Sequence, residues 1–198
     1  PYLDLSEKID SPLGLRGVRL LFKFPNLLET QIRVCLRLSA RFKIRILVPM
    51  VSLPEDMAGI RKVLNQEKEK LKGKKQAFNE KIPLGAMIET PSAVLALEDL
   101  IKESDFLSIG TNDLLQYTMA ADREKTNVAA YYEAGNRLIL EWLKQIVEKT
   151  AKAGMECEIC GELAGNLEFT DELVKSGLEH YSVIPHLIPR LKNKLLSL

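Results

Sequence analysis

An α/β fold built on a parallel sheet is what this sequence predicts, and three observations carry the prediction. Short, almost wholly apolar runs recur along the chain. Amphipathic stretches with helical spacing separate them. Capping and turn residues sit at the joints. Strands buried on both faces read as near-continuous apolar runs, and parallel strands need a crossover between them, usually a helix. Five such strands are counted.

Taken in order, the first residues through Pro12-Leu13-Gly14 read as irregular, and a helix is expected from about Leu27 to Arg41 with Leu28, Ile32, Cys35, Leu36 and Leu38 as its apolar stripe. Arg45–Val51 is the first strand. Ser52 is expected to cap the next helix, with Glu55 reaching back as in a capping box, and Met57, Ile60, Leu64 and Leu71 give that helix its buried face. The charged tail, Glu67 to Lys75, reads as a solvated helix surface. Leu84–Ile88 is the second strand, with Thr90-Pro91 opening a helix behind it. Phe106–Gly110 is the third, followed by a helix through about Ala121. A long amphipathic helix is expected over Asn136–Ala153, a fourth strand over Glu156–Cys160, and a helix from about Leu167 ending at Gly177 as its C′ residue. His180–Ile184 is the last strand and Ile188–Leu198 the last helix.

The composition bounds the function. The chain has 198 residues, 46% hydrophobic and 28% charged, in the range of a globular domain with a real core. With 28 Lys+Arg against 27 Asp+Glu, the net charge of +1 gives no long-range field for nucleic acid or an anionic membrane, so an anion site has to be built locally. No apolar run is long enough to span a bilayer. Pro1-Tyr2-Leu3-Asp4 has no apolar signal-peptide core and no initiator Met, as expected of a processed or excised chain. Three cysteines, Cys35, Cys157 and Cys160, do not make a disulfide framework and fit a reducing cytoplasm.

In parallel β/α folds, function gathers where strands end and helices begin. Glu89 and Asp113 each follow a strand directly, so both carboxylates can face one mouth. Two carboxylates completed by water and substrate oxygens suit magnesium. Either residue alone reads more readily as a carboxylate favouring a helix dipole, and it is the pair, with Asn112 beside it, that favours the metal. Gly110-Thr111-Asn112-Asp113 is a tight strand-to-helix turn whose free N–H groups suit phosphate, though turn and cap alone explain it too. Arg123 and Arg16 offer the planar donor fork that matches phosphate and carboxylate, against a plain surface reading.

Cys157-Glu158-Ile159-Cys160 is not a metal or redox motif if it is a strand, because positions three apart face opposite ways and no second Cys/His pair exists. Cys160 then ends the strand at the mouth, either as a proton donor or as a small buried residue, while Cys157 packs towards the helices. His180 and His186 have no evident partner in the sequence.

Ser108-Ile109-Gly110-Thr111-Asn112-Asp113-Leu114-Leu115-Gln116-Tyr117-Thr118, with Ala121-Asp122-Arg123 behind it, resembles the second signature of the PEP-utilising enzymes, a family that includes enzyme I of the bacterial sugar phosphotransferase system, phosphoenolpyruvate synthase and pyruvate phosphate dikinase. Leu13-Gly14-Leu15-Arg16, Val48-Pro49-Met50, Ile88-Glu89-Thr90-Pro91, Cys160-Gly161-Glu162-Leu163-Ala164 and Ile188-Pro189-Arg190-Leu191-Lys192 agree in the same order, and the wording is closest to enzyme I.

The resemblance implies a (β/α)8 TIM barrel that binds phosphoenolpyruvate (PEP) and Mg²⁺ at its C-terminal face. Residues 1–198 would be the PEP-binding barrel domain, truncated at its N-terminus, with only the later five β/α units of the barrel. Five strands do not close an eight-stranded barrel. By the same resemblance, Glu89 and Asp113 ligate magnesium, Asn112, Arg123 and Arg16 hold the phosphoryl group, and Cys160 protonates the pyruvate enolate. The implied partners are a phosphohistidine domain, the phosphocarrier protein of the phosphotransferase system and a second copy in a homodimer. Neither a nucleic acid nor a membrane is expected. The family's phosphorylatable histidine and two further arginines are not in this sequence, and Tyr131–Asn136 lacks an expected Pro- and His-containing loop. Alternatives are a non-catalytic oligomerisation or regulatory fragment, or a piece of a synthase or dikinase, which would need an ATP-grasp domain.

Overall fold

A computed structural model describes residues 11–198, so the sequence expectations that fall on residues 1–10 lie outside the described part. The elements are α1 (Gly17–Lys23), α2 (Pro25–Ser39), β1 (Ile46–Val48), α3 (Pro54–Gly73), β2 (Leu84–Ile88), α4 (Pro91–Leu95), α5 (Leu97–Glu103), β3 (Leu107–Gly110), α6 (Thr111–Met119), α7 (Ala129–Lys152), β4 (Cys157–Cys160), α8 (Thr170–Lys175), β5 (His180–Tyr181) and α9 (Ile188–Leu196). The five strands form one sheet in the order β1-β2-β3-β4-β5, every neighbouring pair parallel. Among the described residues the strand order does not reverse, unlike the doubly wound sheets that bind ligands at a switch point.

Alternation along the strands divides the sheet into two faces. Leu84, Ala86, Ile88, Leu107, Ile109, Cys157 and Ile159 join the main core, with Ile60 and Leu64 of α3, Leu100 of α5, and Leu143 and Ile146 of α7. The other face carries Gly85, Phe106, Ser108, Glu158 and Cys160. There the Arg45 guanidinium lies 4.3 Å from the centre of the Phe106 ring and pairs with Glu156 and Glu158. This belt crosses from the start of β1 to β4, and Gly85 makes room for it: a Cβ there would lie 2.5–2.7 Å from the Phe106 ring.

The structure corrects several expectations. The first strand covers only Ile46–Val48 of the expected Arg45–Val51, because Pro49 has no N–H for the ladder and Met50 turns into the left-handed region at φ 58°. The last strand is His180–Tyr181 rather than His180–Ile184, since the chain turns into Pro185 after Ser182 donates to the Ile159 carbonyl at 2.8 Å. The capping residue of α3 is Leu53, and Asp56 replaces Glu55 as the reciprocal carboxylate, accepting from the N–H groups of Ser52 (2.8 Å) and Leu53 (3.0 Å). Ser52 instead accepts from Arg19. The long helix begins at Ala129 rather than Asn136, taking in Tyr131–Asn136, and Gly135 within it lets α7 close on Leu115 and Met119 of α6. The helix before Gly177 starts at Thr170 rather than Leu167. The sequence reading placed no helix at α1. Glu67, read as part of a solvated face, is fully buried and paired with Arg33 (2.6 Å) and Lys70 (2.6 Å).

Gly85→Ala is expected to cost about 1–3 kcal/mol by overpacking against Phe106. Urea denaturation should show most of that cost disappear when Gly85→Ala is combined with Phe106→Leu, and a strictly additive double variant would refute the contact's role.

Candidate functional site at the carboxyl ends of the strands

The ends of four strands are tied together by polar bonds that run along the rim. Met50 N–H, beyond β1, donates to Glu89 Oε1 at 2.6 Å, and Thr90 Oγ1 donates to the Val51 carbonyl at 2.9 Å. Thr111 Oγ1 donates to the Cys160 carbonyl at 2.9 Å, and Glu162 N–H donates to Asn112 Oδ1 at 2.8 Å. Two glycines permit these approaches. A Cβ on Gly110 would lie 2.9 Å from Glu89 Oε2, and one on Gly161, at φ 93°, would meet Thr111 Oγ1 and Asn112 Oδ1. The left-handed Met50 costs on the order of 1 kcal/mol, offset by its short bond to a buried carboxyl.

Glu89 and Asp113 are both buried, at 5% and 8% exposure, and lie close enough for the Asp113 charge to act on the Glu89 carboxyl. Burial pushes the Glu89 carboxyl up to about 7. Asp113 adds to the rise, while the Met50 N–H and Arg16 oppose it. Arg16, half-buried at the start of α1, forks onto Asp113: Nη2 is 3.2 Å from Oδ2 and Nη1 is 3.4 Å from Oδ1. Arg16 Nη1 also donates to Tyr117 Oη at 3.3 Å, and Tyr117 in turn donates to the Pro12 carbonyl at 2.6 Å.

Cys160 stands at the end of β4, half-buried, and its sulfur accepts from Ser108 Oγ at 3.8 Å. Burial raises its thiol above the ordinary value, with Glu89 and Glu158 adding to the rise and Ser108 opposing it. Cys157 lies on the core face, and burial pushes its thiol up to about 12, as expected of a packing residue. The cysteines Cys35, Cys157 and Cys160 are all free.

The six candidate residues do not gather equally. Glu89, Asp113 and Arg16 are in mutual reach, and Cys160 shares the rim with Asn112 through Gly161 and Thr111. Asn112 has its carbonyl oxygen committed to Glu162 N–H, so its amide NH2 is the group left for a ligand. Arg123 is exposed and makes no ion pair among the described residues. Its backbone N–H is held by Gln116 Oε1 at 3.1 Å after Ala120 turns the chain at φ 50°. His180 and His186 are exposed.

Sequence reasoning gave no role to Gln116, Tyr117 or Ser108. Gln116 is buried and bonds Asp113 at 3.5 Å as well as holding Arg123. The only signal for them was the signature stretch in which they lie.

Two carboxylates from adjacent strand ends are the kind of donor set that magnesium takes when water and substrate oxygens complete it, and no group of three or more His, Cys, Asp or Glu able to hold a metal occurs among the described residues.

Paired carboxylates and a guanidinium, with a thiol further along the rim, stand at the carboxyl ends of a parallel sheet, the end where ligands bind in α/β domains. The chain belongs to the PEP-utilising enzyme family, PEP-binding domain, whose pattern matches residues 1–198. It is 39% identical over 183 residues to the phosphoenolpyruvate-protein phosphotransferase of Listeria monocytogenes, covering 92% of this chain and 32% of that protein. The protein of the same name from Staphylococcus carnosus is 37% identical over 198 residues, covering 100% and 35%. That from Bacillus subtilis is 37% identical over 183 residues, covering 92% and 32%. The chain thus spans about a third of the length of the relatives it matches. A citrate lyase from Burkholderia xenovorans superposes with a TM-score of 0.61 at 16% identity, over 84% of this chain and 53% of that one, a likeness of fold alone. No helix among the described residues is long and apolar enough to cross a membrane.

Because the Glu89 carboxyl is raised from its ordinary 4.5 to about 7, its contribution to stability is complete below about pH 4.5 and is lost as pH rises to about 7. The stability difference between the parent and Glu89→Gln should therefore fall across that window and be flat above it. Thermal melts at stepped pH check this, and a flat difference throughout would mean Glu89 titrates normally.

Proposed function

We propose that this chain is the PEP- and magnesium-binding barrel domain of a phosphoenolpyruvate-protein phosphotransferase. The phosphoryl group of PEP passes to a histidine on a separate domain and pyruvate is released. The observation that carries this reading is the buried Glu89–Asp113 pair at adjacent strand ends with Arg16 forked onto it, in a chain of the PEP-binding family. The likeness to named phosphotransferases supports the reaction class. The same reading gives the domain residues 1–198, further β/α units to complete the barrel, a cytoplasmic setting, a homodimer and a phosphocarrier protein as downstream acceptor.

In this reading Glu89 and Asp113 hold Mg²⁺, which when bound supplies positive charge to the phosphoryl and enolate oxygens. Arg16, Arg123 and the Asn112 amide NH2 bind and orient the phosphoryl oxygens, and their fixed donors stabilise charge as it develops. Loss of the phosphoryl group leaves an enolate, whose methylene carbon takes a proton from Cys160 to become the methyl of pyruvate. A thiol raised by burial keeps that proton at neutral pH, and Ser108 holds the sulfur at the rim.

Calorimetric titration of PEP is expected to show binding that needs Mg²⁺ and is lost in both Asp113→Ala and Arg123→Ala. A folded parent chain that does not bind PEP would favour an interaction module instead. With the acceptor domain supplied, Cys160→Ala should leave PEP affinity within about twofold and slow pyruvate formation by about 10²-fold or more, the usual weight of a general acid. Unchanged turnover would remove Cys160 from the chemistry.

A further inference from the structure

Arg16 does two incompatible things in the reading above. As a substrate ligand it must direct its guanidinium to a phosphoryl group. In the structure both of its terminal nitrogens are on Asp113, one on each carboxylate oxygen, in the two-pronged arrangement guanidinium makes with carboxylate. Asp113 is buried and Arg16 only half-exposed, so the pair is less screened than a surface ion pair. A divalent cation on Asp113 would meet a positive guanidinium already covering both oxygens. The two cations are alternatives at one carboxylate.

The backbone at Arg16 is fixed by its neighbours, while its head is held only by side-chain bonds to Asp113 and Tyr117. Its neighbour Gly17 adopts φ 54° with Met50 packed where a side chain would be, and Val18 N–H donates to the Pro49 carbonyl at 3.1 Å. The backbone is thereby pinned to the β1 end of the rim. Tyr117 sits beside the head group, accepting from Arg16 Nη1 while its own hydrogen goes to the Pro12 carbonyl. That bond survives whichever partner Arg16 takes, so Tyr117 can act as a pivot. Glu89, Asp113, Tyr117 and Arg19 are the charged or titratable groups whose fields reach this point.

We propose that Arg16 is shared between two stations, Asp113 and the substrate anion, so that a divalent cation must displace it from Asp113 and in doing so frees it for the phosphoryl group, with Tyr117 as its positioning residue. This rests on the magnesium reading of Glu89 and Asp113. It adds that cation uptake and anion capture are coupled through one side chain: each makes the other easier because neither then competes for Arg16.

The test measures Mn²⁺ binding alone, by the loss of the free-ion paramagnetic resonance signal, in the parent chain and in Arg16→Gln, Arg16→Lys, Tyr117→Phe and Asp113→Ala, each first checked for an unchanged melting transition. Removing the competing cation should tighten Mn²⁺ binding about three- to tenfold in Arg16→Gln, the range expected for loss of one partly screened ion pair. Arg16→Lys should stay near the parent, and Tyr117→Phe should fall between the parent and Arg16→Gln. PEP measured with saturating Mn²⁺ should bind more weakly to Arg16→Gln, an opposite sign that a purely structural arginine would not produce. Unchanged or weaker Mn²⁺ binding in Arg16→Gln overturns the proposal, and if Asp113→Ala abolishes binding in the same series the magnesium site itself stands. Equal binding by the parent and Asp113→Ala, or none by any variant, removes the magnesium site and the proposal together.

Discussion

Two carboxyl groups cannot sit side by side at the end of an apolar sheet unless something neutralises them, and the region around Glu89 and Asp113 is organised by that constraint. Three devices meet it. The Met50 N–H donates a short bond to one Glu89 oxygen, Arg16 lays a full positive charge across Asp113, and Glu89 keeps its proton to about neutral pH. Each device recruits a different part of the chain. The first accompanies a left-handed Met50 just after β1, the second fixes the segment leading into α1, and the third follows from the burial of Glu89 itself. The local irregularities of the rim thus have one electrostatic cause.

The rim and the belt below it divide the work. The belt of Arg45, Phe106, Glu156 and Glu158 ties β1 to β4 across the middle strands, at the end of the sheet away from the carboxylates. The rim bonds tie neighbouring strand ends, so that Cys160 on β4 is held relative to Asn112 on α6 by short side-chain-to-backbone bonds and the close approach at Gly161. A site assembled this way places its groups with little rotamer freedom to lose on binding a ligand, which is the condition for effective orientation.

Much of this was legible from sequence, for reasons that differ by element. Leu84–Ile88 has the ends predicted because an apolar run bounded by Pro83 and Glu89 allows little else. Glu89 and Asp113 were singled out as the first ionisable residues after a buried strand and Cys160 as the residue that ends one, positions that strand periodicity identifies. Asp56 was missed for Glu55 because Pro54 occupies the first helical position and moves the cap by one residue. Tyr117 and Ser108 could not be read, since their bonds are to residues distant in sequence, Arg16 with Pro12 and Cys160, and the local bonds of Gln116 to Asp113 and Arg123 depend on a turn at Ala120 that no glycine announces. The burial of Glu67 was hidden for a similar reason, because a charge run looks solvated until Arg33 of another helix packs on it.

The order of the strands has a bearing on how such a molecule is made. Among the described residues each strand pairs only with its neighbours in chain order. During synthesis each of these strands after β1 can meet the edge of the one before it, with a single crossover to close in each case. The carboxylate pair then arises early, as soon as α6 docks behind β3. Cys160, on β4, joins a mouth already formed, and the last positions added are those that complete the polar rim rather than those that found it.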